Sequence, residues 1–237
     1  MITDGGWAAY NIWEHSAIVR DLYARRCRRE VEEMTCHAQA ARLLAPLVRP
    51  ADTLLDAGCG SGYFFHSLRT RGIDAEYFGI DATRGLIDIG RQYLPAYGLP
   101  PERLMTLRIE DLDGSVDHAL CVNVLSNIDN YHRPLERLLR VARKSVILRE
   151  SCHERASCQY VKDEFLDAGL DLRVYVNTYP TGEVVRFMES FGFDVSVIRD
   201  ERANDEAETV IGYPHYWKFI VGVRRGVETP ESRSWRA

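Results

Sequence analysis

Three glycines and two carboxylates are the residues of this sequence best suited to chemistry. Gly58, Gly60 and Gly62 alternate with other residues just after Asp56, and Asp81 ends the next apolar run. Glycine allows a sharp turn and a close approach of the backbone to a ligand. A carboxylate after the next strand can accept hydrogen bonds from the hydroxyls of a ribose. Together these residues predict a site for a nucleoside cofactor.

Two positions in this pattern distinguish between classes of nucleoside cofactor. The dinucleotide fingerprint G-x-G-x-x-G needs a third glycine where this sequence has Tyr63. The Asp56 carboxylate would repel a pyrophosphate, whereas it would attract the ammonium group of an amino acid. The pattern therefore favours S-adenosyl-L-methionine, which has a ribose and a positively charged amino-acid end, over a nicotinamide dinucleotide.

The stretch from Asp56 to Gly62 resembles motif I of the class I S-adenosylmethionine-dependent methyltransferases, which commonly reads D-x-G-C-G-x-G. The resemblance covers roughly residues 53–223 and implies a seven-stranded sheet with an antiparallel final hairpin. It implies cofactor contacts at the motif I loop, the ribose acid, the segment after the third strand and the turn after the fourth: Asp56, Gly58, Cys59, Gly60, Asp81, Ala82, Glu110, Asp111, Leu112 and Asn123.

Some of these positions also have a purely structural interpretation. Cys59 is most simply a small buried residue without chemistry of its own. Asp111 could start a turn, and Asn123 could be a satisfied turn residue. Arg108 stands where the family often has a further acid, so the adenine contact stays open between Glu110, Asp111 and backbone groups.

His153 is the candidate general base for the methyl acceptor. It follows the predicted strand at 145–148, so it would lie at the ligand-binding edge of the sheet. A solvated loop histidine is the alternative interpretation. In the N-terminal segment, Tyr10 and Trp13 could close over the cofactor or could anchor the segment to the core. Asn127, Asp129 and Asn130 match no metal cage, and the sequence predicts no metal.

A run of arginines is the strongest basic feature of the chain. These arginines could bind a phosphate, a carboxylate or RNA. Three glutamates follow at i+4 spacing and would pair with them on a solvated helix face. The solvated face is the first interpretation and an anionic small molecule the second, because no aromatic platform favours RNA. The residues concerned are Arg25, Arg26, Arg28, Arg29, Glu30, Glu32 and Glu33.

The secondary-structure elements that must position these residues are strands, predicted from apolar runs, which alternate with helices, predicted from helical periodicity. One long helix is predicted at 18–47, and further helices at 63–71, 84–93, 133–143 and 182–191. Apolar runs at 53–57, 75–80, 105–109, 118–122 and 145–148 predict strands of a parallel sheet that is buried on both faces. The runs at 194–198 and 216–223 have too little helix between them for a parallel crossover. The fold class is therefore α/β, a doubly wound, seven-stranded, mostly parallel sheet with an antiparallel last strand.

Length and composition limit the class of protein. The 237 residues suit an N-terminal lid and helix at 1–50, a methyltransferase domain at 51–225 and a flexible tail at 226–237. A net charge of −5 argues against a nucleic-acid partner, and no apolar run could cross a bilayer. Six cysteines without a C-x-x-C pair, and no signal peptide, favour the cytoplasm.

These features predict methyl transfer to an oxygen or nitrogen of a small molecule, such as a sugar, a nucleotide sugar or a secondary metabolite. RNA or protein methylation and nicotinamide-dependent oxidation are the alternatives. The sequence does not predict the oligomeric state.

Overall fold

Eleven strands and six α-helices are present in the computed structural model, which describes residues 6–164 and 166–227. The strands are β1 (Thr53–Ala57), β2 (Glu76–Asp81), β3 (Leu104–Thr106), β4 (Val116–Val122), β5 (Ala142–His153), β6 (Ser157–Lys162), β7 (Arg173–Pro180), β8 (Phe193–Arg199), β9 (Glu208–Val210), β10 (Tyr213–His215) and β11 (Trp217–Arg224). The helices are α1 (Ala17–Cys27), α2 (Thr35–Leu44), α3 (Phe64–Thr70), α4 (Arg84–Tyr93), α5 (His132–Val141) and α6 (Thr181–Ser190).

The central sheet has the strand order β3-β2-β1-β4-β5-β11-β8. Its first five strands are parallel, and β11 runs antiparallel to both β5 and β8. Neighbouring residues of β1 face opposite sides, so Leu54 and Leu55 belong to different apolar clusters. The sheet is thus covered on both faces, and the predicted doubly wound fold with an antiparallel last strand is confirmed.

The single long helix expected at 18–47 is wrong, because α1 ends at Cys27 and α2 begins at Thr35. Arg29 has a left-handed φ of 61°, and its amide donates to the Arg26 carbonyl at 3.1 Å. The Glu30 amide donates to the Arg25 carbonyl at 2.9 Å. These two bonds form the Schellman arrangement that ends a helix, with arginine at the position that usually holds glycine.

The expected i+4 pairing of arginines with glutamates is wrong for the same reason, since the glutamates lie beyond the end of α1. Arg28 instead pairs with Glu30 at 2.7 Å, two residues away. Glu33, in the loop between α1 and α2, pairs at 2.7 Å with Arg71, which directly follows α3. Arg26 therefore pairs with neither Glu30 nor Glu33.

A hairpin of β6 and β7 occupies the polar region for which the sequence predicted no element. β7 also pairs with the end of β5 through Cys152 and His153. Val174 and Val176 of β7 pack against Ile12, and the Asp167 carboxylate accepts a hydrogen bond from the Ala17 amide at 2.6 Å. The hairpin therefore holds the N-terminal segment in place.

A buried polar network connects the ends of β1, β4 and β5 that lie opposite the glycine loop. His118 bonds to Ser145 Oγ at 2.7 Å through Nδ1 and to Asp52 Oδ2 at 2.9 Å through Nε2. Ser145, His118 and Asp52 follow one another as the nucleophile, base and acid of a catalytic triad would. All three side chains are buried, however, so a substrate could not reach the serine. Because Lys144 also pairs with Asp52, we interpret the network as fixing the register of these strands.

The predicted domain boundaries at 50 and 225 stay predictions. Residues 1–5 of the expected lid and residues 228–237 of the expected tail lie outside the described residues. Within the described part of the chain, none of the helices is long and apolar enough to span a membrane.

We expect the buried His37 ring to make the fold sensitive to acid. Burial, with help from the charge of Arg26, lowers the pKa of His37 to about 3. Below about pH 6.5 the unfolded chain binds a proton here that the folded chain does not. The free energy of unfolding should therefore fall by roughly 1.4 kcal/mol per pH unit from this group as the pH drops towards 3.

Urea unfolding between pH 7 and 4 measures this dependence in the wild type and in His37→Phe. The phenylalanine keeps a ring stacked on Tyr63, whose centroid lies 4.8 Å from that of His37. We expect the variant to have a shallower acid limb, with the exposed His132→Phe as control. Equal slopes in wild type and His37→Phe would contradict the assignment.

Candidate active site

The three glycines of the loop after β1 all adopt left-handed backbone conformations. Their φ angles are 76° at Gly58, 58° at Gly60 and 78° at Gly62. A Cβ atom would overlap Val124 at the first position, the Tyr23 ring at the second and Leu104 at the third. Both the backbone angles and the close packing therefore require glycine here.

The amide groups of this loop are already used within the protein. The amides of Gly58 and Cys59 both donate to the Ile80 carbonyl, at 2.8 and 2.9 Å. The Gly60 amide donates to Asp81 Oδ2 at 2.8 Å. A pyrophosphate carries only acceptors and would need these donors. The loop is therefore better suited to a ligand that brings its own donors, such as an ammonium group and ribose hydroxyls.

Asp81 lies at the end of β2, next to the glycine loop. Its second oxygen accepts a hydrogen bond from the Thr83 amide at 2.8 Å. Burial raises the pKa of Asp81, against the effect of these two amide bonds. A carboxylate has about four acceptor sites, so Asp81 keeps capacity for the hydroxyls of a ribose. Ala82 follows it and is partly exposed. As cofactor contacts, both residues stay predictions.

Asp56 and Cys59 face inward from the loop region. Asp56 is only 4% exposed and accepts a hydrogen bond from the Tyr77 hydroxyl at 2.7 Å. Burial raises its pKa to about 7. Cys59 is 6% exposed and lies against Gly79. We therefore expect Asp56 to act on a cofactor through its charge, and Cys59 through its backbone.

The segment predicted to contact adenine lies in the 3-10 helix Ile109–Asp111 after β3. Glu110 pairs with Arg108 at 3.2 Å, while Asp111 is exposed. Leu112 packs into the core that α5 covers. The structure leaves the predicted adenine contact of these three residues untested.

The N-terminal segment covers the edge of the sheet at which the loop and Asp81 lie. Asn11 donates to Thr83 Oγ1 at 2.9 Å, and the Glu14 carboxylate accepts from the Gly85 amide at 2.9 Å. The Tyr23 ring packs on Gly60, and burial raises its pKa to about 12, so the hydroxyl remains a donor at neutral pH. The sequence pointed instead to Tyr10, which is 67% exposed, and to Trp13, which packs against the β6–β7 hairpin.

A cavity of about 270 Å³ lies beside this edge, where β4 ends. Asn123 lines it and has a left-handed φ of 60°, which favours asparagine among non-glycine residues. The Asn123 amide donates to the Arg149 carbonyl at 2.8 Å, and its Oδ1 accepts from the Arg149 guanidinium. Asn123 is therefore held rigidly in the cavity wall.

Arg149 is a buried charge that the sequence analysis did not identify. It is 3% exposed and forms an ion pair with the fully buried Asp200 at 2.6 Å. Its guanidinium also lies 4.4 Å from the centroid of the Trp217 ring. An arginine inside a buried strand was the only available signal, because its partners lie far along the chain.

Glu150 holds the turn after β4 and was also missed. Its Oε1 accepts from the amides of Val124 and Leu125 at 3.0 and 2.9 Å. Its Oε2 accepts from the amide and the hydroxyl of Ser126 at 2.8 and 2.7 Å. Four hydrogen bonds offset the cost of burying the carboxylate, although burial still raises its pKa. This side chain shapes the turn that follows Asn123.

His153 is the last residue of β5 and lies beyond the final pairing of β4 with β5, which joins Val122 to Arg149. Its ring is partly exposed, with its centroid 4.2 Å from that of Tyr216. The residues that line the cavity include no histidine in the described part of the chain. The structure therefore does not bring His153 into the cavity wall, and its role as a base stays a prediction.

The glycine loop after β1 and Asp81 at the end of β2 lie together at the carboxyl ends of parallel strands, which is where α/β folds bind their ligands. Residues 55–147 match a family model described as a methyltransferase domain. No curated protein matches the chain in sequence.

Solved structures with a similar fold include several methyltransferases. A magnesium protoporphyrin IX methyltransferase from Synechocystis with bound S-adenosylmethionine has a TM-score of 0.57 at 16% identity, over 94% of this chain and all of the other (100%). An S-adenosylmethionine-dependent methyltransferase from Clostridium acetobutylicum has 0.56 at 14%, over 87% and 97%. A glycopeptide N-methyltransferase complexed with S-adenosylmethionine has 0.56 at 13%, over 80% and 93%.

Residues 55–147 of this chain are therefore similar to a methyltransferase domain, and the fold as a whole is the one that these S-adenosylmethionine-dependent methyltransferases share.

We expect Asp81→Asn to weaken cofactor binding. Each hydrogen bond to a charged acceptor contributes about 1.5–3 kcal/mol, so loss of one ribose bond should raise the dissociation constant at least about tenfold. Titration calorimetry with S-adenosylhomocysteine measures this change. Asp88→Asn removes an exposed charge from α4 and should leave the affinity unchanged. An unchanged affinity in a correctly folded Asp81→Asn would remove Asp81 from the site.

We also expect cofactor binding to release protons from Asp56. Because its pKa is about 7, the side chain is about half protonated at neutral pH. A cationic cofactor favours the ionised form, so binding of S-adenosylmethionine at pH 7 should release up to about half a proton. Calorimetry in phosphate and in Tris, whose ionisation enthalpies differ, measures this release. Asp56→Asn should abolish it, and a wild-type enthalpy that is the same in both buffers would contradict the assignment.

Proposed function

We propose that the protein transfers the methyl group of S-adenosylmethionine to an oxygen or nitrogen of a small molecule that binds in the cavity beside Asn123. The observation that carries this proposal is the position of the cavity, which lies where β4 ends and has Asn123 in its wall. Its volume of about 270 Å³ lies just below the range of roughly 300–1,000 Å³ that is usual for small-molecule sites. The loop between α1 and α2 contributes Met34 to its wall.

The main contribution of the protein to this reaction is to align the acceptor with the methyl group. When bound, S-adenosylmethionine supplies a methyl group that is already activated by the sulfonium, and the transfer is an in-line displacement. Holding the acceptor in line with that methyl can contribute around 7–11 kcal/mol to lowering the barrier. The residues that supply this rigidity are Asn123, which Arg149 fixes, and the turn that Glu150 holds.

His153 remains our candidate base for an acceptor that must lose a proton. Its place at the end of β5 puts it on the same edge of the sheet as the cavity, and its ring is partly exposed. It would serve an acceptor whose reacting group extends past the end of the strand. An acceptor that is already a free nucleophile would need no base.

The structural neighbours support a small-molecule acceptor, since a porphyrin and a glycopeptide are named for two of them. We propose a sugar, a nucleotide sugar or a secondary metabolite as the acceptor class, and no nucleic-acid partner. We also propose the cytoplasm as the location. All six cysteines are free thiols, which is the state that a reducing compartment maintains.

The test combines a binding titration with an acceptor screen. We expect micromolar binding of S-adenosylhomocysteine and no binding of NAD. The loop amides are already used within the protein, so they are not available to the pyrophosphate of NAD. Hydroxylated and aminated metabolites are then screened with S-adenosylmethionine for release of S-adenosylhomocysteine. Retention on RNA near physiological salt, with methylation of that RNA, would overturn the small-molecule proposal.

We expect His153→Gln to lower the turnover of an acceptor that carries a protonated hydroxyl or ammonium group. General-base assistance typically contributes 10²–10⁴-fold, so a loss of at least about a hundredfold is expected at neutral pH. Affinity for S-adenosylhomocysteine should stay unchanged, and the exposed His132→Gln provides the matched control. A normal turnover in His153→Gln would show that His153 is not the general base.

A further inference from the structure

Arg26 lies in the wall of the acceptor cavity and is fixed in place by aromatic rings. Its guanidinium carbon is 5.3 Å from the centroid of Tyr23 and 5.0 Å from that of Tyr63. Nη1 donates a hydrogen bond to the Tyr63 hydroxyl at 2.9 Å. Such cation–π contacts orient a guanidinium without neutralising its charge. The side chain is therefore preorganised in the wall of the cavity.

The other charges of this cavity wall are paired. Arg149 pairs with Asp200, which lies behind it. Arg202 pairs with Glu208, and both line the cavity. Glu33, the other acid in the wall, pairs with Arg71.

Arg26 has no carboxylate partner among residues 6–164 and 166–227. The cavity wall therefore carries one positive charge in excess. A partly buried charge without a partner is costly, and a ligand of opposite charge relieves that cost.

We propose, on the basis of the proposed function, that the methyl acceptor carries a carboxylate and that Arg26 binds it. Nη1 of Arg26 is engaged by Tyr63, which leaves the edge formed by Nε and Nη2. Two parallel N–H donors on one edge match the two oxygens of a carboxylate. A single excess charge matches a carboxylate monoanion better than a phosphate, which carries close to two charges at neutral pH.

The acceptor is then held at two points of one cavity. Arg26 binds the carboxylate, and the group to be methylated lies at the wall that Asn123 forms. The specificity follows from the cavity's own charge, because the neutral amide of the same acid would leave Arg26 without a partner. Discrimination between an acid and its amide is therefore the signature of this site.

The experiment uses acid and amide pairs as probes: benzoate with benzamide, phenylacetate with phenylacetamide, and phenyl phosphate as the other anion. Binding is measured by ligand-observed NMR on the full chain with saturating S-adenosylhomocysteine. Arg26→Gln removes the charge, Arg26→Lys keeps the charge without the two-donor edge, and Arg25→Gln removes an exposed charge from the same helix.

We expect the wild type to bind the acids at least tenfold more tightly than their amides. Arg26→Gln should lose this preference and Arg26→Lys should retain part of it, whereas Arg25→Gln should behave as the wild type does. Equal binding of acids and amides by the wild type would overturn the proposal, as would a preference that survives in Arg26→Gln. Phenyl phosphate bound tenfold more tightly than benzoate would overturn the assignment to a carboxylate.

Binding of S-adenosylhomocysteine to each variant separates this proposal from the proposed function. If the wild type does not bind S-adenosylhomocysteine, the proposed function fails. If it does bind, and only the acid preference is absent, then the carboxylate site alone fails. Arg26→Gln with normal affinity for S-adenosylhomocysteine also shows that the variant is folded.

Discussion

The hydrogen bonds between the Asp81 carboxylate and two backbone amides are the constraint on which the rest of the site depends. One oxygen holds Gly60 of the loop after β1, and the other holds Thr83 at the start of α4. The same carboxylate therefore sets the distance between the two strand ends over which the proposed cofactor would lie. Because the loop glycines are in left-handed conformations, the loop can reach Asp81 without side chains in between. Thr83 in turn binds Asn11, so the position of the N-terminal segment follows from the same carboxylate.

The cofactor edge and the acceptor cavity are linked by a single helix. Tyr23, which packs on Gly60, and Arg26, which lines the cavity, are three residues apart on α1 and share one face. The helix is anchored from its other end, because Arg20 pairs with Asp167 beside the β6–β7 hairpin. A shift of α1 would therefore change the cover of the loop and the charge in the cavity together. Under the proposed function, this coupling would let the N-terminal segment align the cofactor and the acceptor together.

The parts that the sequence predicted are those with a local signal. The apolar runs of β1 and β2 alternate with periodic helices, and the loop glycines follow β1 while Asp81 ends β2. The break after α1 was missed because Arg29, and not a glycine, takes the left-handed position. The β6–β7 hairpin was missed because most side chains of β6 are exposed, so its pattern reads as a polar loop. Arg149 and Asp200 lie on separate elements, and no local spacing could have joined them.

Some charged groups of the site have all their hydrogen-bond and ion-pair partners within the protein, and others do not. Glu150 accepts four hydrogen bonds, and Arg149 is paired with Asp200 and bonded to Asn123, so neither has much left to offer a ligand. Asp81 keeps acceptor capacity at the cofactor edge, and Arg26 keeps its charge in the cavity. A buried or half-buried charge that the chain leaves incomplete is destabilising by itself, so retaining it makes sense only where a ligand completes it. The same reasoning supports both the ribose hydroxyls that we propose for Asp81 and the carboxylate that we propose for Arg26, and it gives no ligand to Arg149 despite the greater burial of that side chain.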